Sequence, residues 1–176
     1  LNPQNCIPSR YLEGVLVAGG KDYFDGVSFH AYDFFSNGGE NYPNGIYGNP
    51  GWYSGGFHNT MYGPLKPAVV AKVQYIKYLL ALYNAPGKFL INTETALLCG
   101  GAFDPPGGPG CEADVNSPFE KLKAAYVAQS YAAALAEGLL ANIWYTPRGW
   151  RNSGLLYDNL SARPAYDAYK LAYATL

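Results

Sequence analysis

Residues 88–96 read Lys-Phe-Leu-Ile-Asn-Thr-Glu-Thr-Ala, and the placement of this stretch decides the fold. Upstream of it, Pro67 to Tyr83 carries Val69, Val70, Val73, Ile76, Leu79, Leu80 and Tyr83 at helical spacing. Asn84-Ala-Pro-Gly87 stops that helix, and Lys88 to Thr93 then reads as a short apolar strand. The same order recurs on both sides. Toward the N-terminus, Tyr11, Leu12, Val15 and Leu16 predict a helix over 8–18 that Gly19-Gly20 ends, followed by a buried strand, Gly26 to His30. Toward the C-terminus, Ser117, Pro118 and Glu120 predict a capping box opening a helix that runs to about Leu140. A strand, Ala141 to Tyr145, follows, and Pro164 opens a last helix whose Tyr166, Tyr169 and Tyr173 face the sheet. The order α-β-α-β-α-β-α argues an α/β fold with a parallel sheet and crossover helices.

Composition narrows the function. The 176 residues suit a single domain, 1–176, large enough to bury a core. With 12 Lys and Arg against 13 Asp and Glu, the net charge of −1 offers no basic surplus for nucleic acid or an anionic membrane. Charged residues are only 14 %, whereas 49 % are apolar, which excludes a disordered chain. No apolar run is long enough to span a bilayer. The 17 Tyr, 8 Phe and 3 Trp suit surfaces that grip an uncharged polar ligand through flat rings and hydroxyls, and sugars fit that description.

Each expected strand leaves into a long irregular stretch, of about 34 residues after His30, about 23 after Thr93 and about 18 after Tyr145. In a parallel sheet these stretches share one edge, the carboxyl ends of the strands, where sites are built. The strands end in His30-Ala31-Tyr32, in Asn92-Thr93-Glu94-Thr95 and in Trp144-Tyr145. Glu94 is the only charge between Lys88 and Asp104. It reads two ways, as a catalytic carboxylate or as a structural acid capping a neighbouring loop, since a lone buried carboxylate costs several kcal/mol.

Phe24 to Tyr32 (FDGVSFHAY), Lys88 to Ala96 (KFLINTETA) and Ala141 to Tyr145 (ANIWY), with the later Leu156-Tyr-Asp158 and Arg163-Pro-Ala-Tyr166, together resemble the C-terminal half of a retaining glycoside hydrolase. The clan is that of the (β/α)8 barrels that include cellulases and β-xylosidases. The resemblance implies a partial TIM barrel, about strands six to eight with their helices. It implies hydrolysis of β-linked glycans, with Glu94 as nucleophile, His30 and Tyr32 orienting it, and Trp144 forming the platform of the innermost sugar site. Glu94 is then expected to share a hollow with the imidazole of His30 and the indole of Trp144.

The match has a gap. The clan's acid/base glutamate follows an asparagine, and no Asn-Glu pair occurs in this chain. A full barrel takes about 250 residues, more than are present. A retaining mechanism needs a second carboxyl about 5–5.5 Å from the first. Asp33, Glu40, Asp104 and Glu112 lie on the correct edge but carry no supporting motif. The acid/base is therefore expected in a complementing N-terminal half, and the start at Leu1 reads as a cut end. The alternative is a non-catalytic carbohydrate-binding or assembly module. Either way the open sheet edges call for a homo-oligomer or for that complementing half. A flavodoxin-like domain fits less well, because Gly19-Gly20 precedes the first strand instead of following it.

Of the remaining residues, Tyr145, Trp52 and Trp150 are candidate sugar contacts, together with the loop rings of Tyr42, Tyr47, Tyr53 and Phe57. Arg148 could serve the sugar or pin its loop, and His58 reads as solvated. Cys99 and Cys111 bracket a Gly/Pro-rich segment and read as a disulfide, with two free thiols of a reducing compartment as the other reading. The disulfide implies an extracellular, secreted protein and leaves Cys6 to a partner outside this sequence. No metal-ligand spacing is present, and a carboxylate mechanism calls for no cofactor. Asn159-Leu-Ser161 matches a glycosylation sequon.

Overall fold

The computed structural model describes residues 10–36, 51–53, 67–100, 111 and 114–176. Its helices are α1 (Arg10–Val17), α2 (Ala68–Leu82), α3 (Pro118–Ala136) and α4 (Pro164–Thr175). Its strands are β1 (Gly26–Ser36), β2 (Gly51–Tyr53), β3 (Phe89–Cys99) and β4 (Ala141–Trp144), in the sheet order β2-β1-β3-β4. β1, β3 and β4 run parallel, as the alternating pattern requires. Two features depart from expectation. The short β2 adds an antiparallel edge against Phe34 to Ser36. β1 runs on to Ser36 and β3 to Cys99, past the expected ends at His30 and Thr93. From Thr95 to Cys99 both faces of β3 are buried, so no alternation of apolar and polar residues marks the extension.

Helix side chains cover one face of the sheet in two clusters. Val69, Val73, Ile76 and Leu79 of α2 and Leu16 of α1 meet Leu90 and Ala31, with Val27 and Phe29 packed against them. Phe119, Tyr126 and Val127 of α3 meet Phe35, Leu97, Cys99 and Trp144. α4 lies on α3, where the Tyr131 and Tyr169 rings meet edge-on at 5.5 Å.

Two of the helices, α3 and α2, start where a side chain satisfies a free amide. Ser117 accepts from the Glu120 amide at 3.2 Å and caps α3. The other half of the expected capping box does not form, because the Glu120 carboxylate engages Lys123 and Arg163 instead. α2 starts at Pro67, which offers no side-chain acceptor. Its cap comes from the sheet: Asp33 Oδ2 on β1 accepts from the Ala68 amide at 2.7 Å and from the Tyr126 hydroxyl at 2.7 Å. A carboxylate here also meets the positive end of the helix dipole. Asp33 is fully buried in this role and faces the helices, away from the open face of the sheet.

Candidate active site

One extra residue in β3 sets the direction of Glu94. Phe29 pairs with Asn92 and His30 with Glu94, so Thr93 is the unpaired residue of a β-bulge. Before the bulge Leu90 and Asn92 face the helices; after it Thr95 and Leu97 do. In an unbroken alternation Glu94 would follow Leu90 and Asn92 into the core. The bulge turns it to the open face, beside His30 and in the row of Tyr32 and Phe34.

On that face a hydroxyl and an imidazole nitrogen meet one carboxylate oxygen. The Tyr32 hydroxyl donates to Glu94 Oε2, and His30 Nδ1 lies 3.2 Å from the same atom. The rings of His30 and Tyr32 stand edge-to-face at 6.3 Å, and Tyr32 and Tyr145 repeat the arrangement at 6.3 Å. Burial pushes the Tyr32 phenol up from its ordinary value, and the Glu94 hydrogen bond and charge push it further. Tyr32 therefore stays a protonated donor throughout the neutral range. The Glu94 side chain is 29 % exposed and that of His30 54 %, so a solute can reach both. Behind them the Lys72 ammonium donates to the His30 carbonyl at 2.6 Å, on the edge of β1 away from β3. In the sequence, Lys72 is marked only by being a lysine between Val69 and Ile76 in an apolar stripe.

The expected hollow shared by Glu94 and Trp144 does not form, and the register shows why. Trp144 pairs with Thr95, so its indole faces the helices. It is buried against Tyr126 and donates to the Ser153 carbonyl at 3.0 Å. Its neighbour Tyr145 points to the open face in its place and is half-exposed. Trp150 is exposed on the loop after β4 with the Arg151 guanidinium 4.9 Å above its ring. Trp52 lies in β2 in register with Phe35. Cys99 and Cys111 form a disulfide with Cα atoms 5.8 Å apart. Cys6, Glu40, Tyr42, Tyr47, Phe57, His58, Asp104 and Glu112 lie outside the described residues. Among the described residues no group of three or more His, Cys, Asp or Glu is placed to hold a metal, and no helix is long and apolar enough to cross a membrane.

No family model matches the chain, and no curated protein matches it either. Two solved structures share its fold. A family 39 glycoside hydrolase from the gut symbiont Bacteroides cellulosilyticus WH2 aligns over 98 % of this chain and 31 % of its own, with a TM-score of 0.55 and 22 % identity. The GH39 enzyme from Xanthomonas axonopodis pv. citri aligns over 93 % of this chain and 30 % of its own, with a TM-score of 0.54 and 18 % identity. At such identities the likeness is one of fold. This chain spans about a third of the length of these structures, and its α/β sheet is compatible with part of a barrel.

Proposed function

We propose that this chain is the nucleophile-bearing part of a secreted glycoside hydrolase that cleaves β-glycosidic bonds by retaining double displacement. The observation that carries the reading is the meeting of the Tyr32 hydroxyl and His30 Nδ1 on one oxygen of Glu94 at a bulge in an interior strand. The likeness in fold to two glycoside hydrolases supports it. Glu94 is the nucleophile; Tyr32 and His30 hold one carboxylate oxygen so that the other meets the anomeric carbon. As that C–O bond forms, the glycosidic C–O bond breaks, and the departing oxygen takes a proton from the acid/base group. Water then displaces Glu94 and gives its proton back to that group. Tyr145, Trp150 and Trp52 are the sugar contacts. Trp144 supports Tyr145 from the helix side, where its indole is buried. No cofactor enters this chemistry.

The acid/base is supplied by a complementing N-terminal half. Of the candidates within the chain, Asp33 caps α2 and faces away from Glu94. That commitment is also the observation favouring the second reading, a carbohydrate-binding module without turnover.

A fluorinated dinitrophenyl β-glycoside tests the assignment, because its leaving group departs without acid catalysis. Mass spectrometry is expected to find the trapped sugar on the peptide that holds Glu94, and Glu94→Gln to abolish trapping. Retained turnover of an aryl β-glycoside by Glu94→Gln overturns the assignment. Binding with no trapping in the wild type selects the second reading.

A further inference from the structure

Outside the Glu94 site, Lys123 stands out as a cation with no exposed surface. An ammonium has three donors, and each has an acceptor here: Glu120 Oε1 at 3.0 Å, the Asn152 carbonyl at 2.7 Å and the Gly154 carbonyl at 2.8 Å. Glu120 also accepts from Arg163 Nη1, and Arg163 Nε donates to the Leu156 carbonyl at 3.1 Å. α3 and the residue that caps α4 thus direct a buried ionic group at the loop that follows β4.

The backbone held by this group is one that side chains seldom permit. Arg151 (φ 50°) and Asn152 (φ 57°) are consecutive non-glycine residues in the left-handed region, which persists only where the surroundings enforce it. Asn152 is gripped twice, through its carbonyl by Lys123 and through its Nδ2 by the Cys111 carbonyl at 2.7 Å. The loop closes on itself where Gly149 and Gly154 touch; a Cβ on Gly149 would lie 1.9 Å from the Gly154 nitrogen. Ser153, between the two carbonyls bound by Lys123, carries the constraint toward the site. Its Oγ donates to the Tyr145 carbonyl at 3.2 Å, and its carbonyl accepts from the Trp144 indole. Tyr145 in turn meets the Tyr32 ring, whose hydroxyl holds Glu94.

We propose that Lys123, with Glu120 and Arg163, is a positioning residue that holds the left-handed Arg151–Asn152 pair and so fixes Tyr145 against Tyr32, the ring that holds Glu94. Its link to sugar binding rests on the glycosidase reading; its hold on the loop does not.

The test uses the full, disulfide-bonded chain. In Lys123→Met, amide exchange is expected to quicken tenfold or more at Ser153 and Leu156, whose N–H groups bond to the Trp150 and Pro147 carbonyls. The β1–β3 ladder is expected to keep its wild-type rates. Unchanged loop rates, or acceleration by the same factor everywhere, overturn the proposal. If Lys123→Met does not fold, wild-type exchange in rising urea decides: loop amides opening together with α3 support it, and loop amides opening well before α3 overturn it. In parallel, an aryl β-glycoside titrated against tryptophan fluorescence is expected to bind Lys123→Met at least fivefold more weakly than wild type. A wild type that binds no glycoside removes the glycosidase reading, and the exchange result still decides the role of Lys123.

Discussion

The Tyr32 phenol keeps its proton where Glu94 requires a donor, and this has consequences that can be measured. Burial and the neighbouring carboxylate raise its titration above the ordinary tyrosine value of 10. The stability it contributes is therefore complete below about pH 10 and is lost as the pH rises further, because the unfolded chain releases that proton first. Urea unfolding of wild type against Tyr32→Phe is expected to show the wild-type advantage shrinking above pH 10 and constant below it. A hydrogen bond to a charged group contributes about 1.5–3 kcal/mol. Tyr32→Phe is therefore expected to slow trapping of the fluorinated glycoside by roughly ten- to a hundredfold, with the reagent still bound; an unchanged rate removes Tyr32 from the site. The identities of these residues were legible, since His30, Tyr32 and Glu94 all end apolar runs. The direction of Glu94 was not. A bulge adds one residue to one strand and leaves no mark in that strand's own sequence, so the face each later side chain takes is set by pairing with β1 and β4.

At the scale of elements, the sequence pattern located the four α-helices and the three parallel strands of the described residues, and the polar side chains are where it stopped short. Ser-x-x-Glu at 117–120 reads as a capping box, yet only Ser117 caps, because burial gives Glu120 stronger partners in Lys123 and Arg163. Asp33 reads as a loop acid, yet it caps α2 across the sheet, a long-range contact that no local window contains. Ser117→Ala is expected to cost about 1 kcal/mol of stability in urea unfolding. Lys123 yields a prediction of opposite sign to that of Tyr32. Burial lowers its titration from 10.5 to about 8, with Glu120 opposing the change and Arg163 adding to it. Below about pH 8 both states hold the proton; between there and about 10.5 the folded state has released it while the unfolded state has not. Stability from this group therefore rises with pH across that window and then levels off. Each tenfold difference in proton affinity between the two states corresponds to about 1.4 kcal/mol, so wild type is expected to gain roughly 3 kcal/mol on Lys123→Met between pH 7 and pH 10.5. A difference flat in pH would show that the ammonium is no harder to keep charged in the fold than in the open chain.

For the whole molecule, the face of the sheet away from the helices is closed at Ala96 and Leu98 but only half-covered at Phe89 and Ile143. Toward the helices the core is closed, whereas on the other face Phe89 is 45 % exposed and Ile143 49 %, in the row that also carries Tyr145. Along the outer edge of β1 a groove of about 510 Å³ runs between α1 and α2, walled by Tyr11, Val15, Phe24, Phe29 and Ile76. Lys72 sits at one end of it, where its bond to the His30 carbonyl occupies one of the edge acceptors, a device that discourages indiscriminate strand pairing. An apolar face and a groove beside a strand edge are surfaces that water covers poorly. The chain alone is therefore expected to self-associate, or to bind a complementing half-barrel, through the Phe89–Ile143 face. Light scattering with increasing concentration checks this, and Ile143→Lys is expected to return the chain toward a monomer with its thermal midpoint little changed, since the side chain is already half in solvent. A wild type that stays monomeric at all concentrations would mean that this face is satisfied within the chain itself.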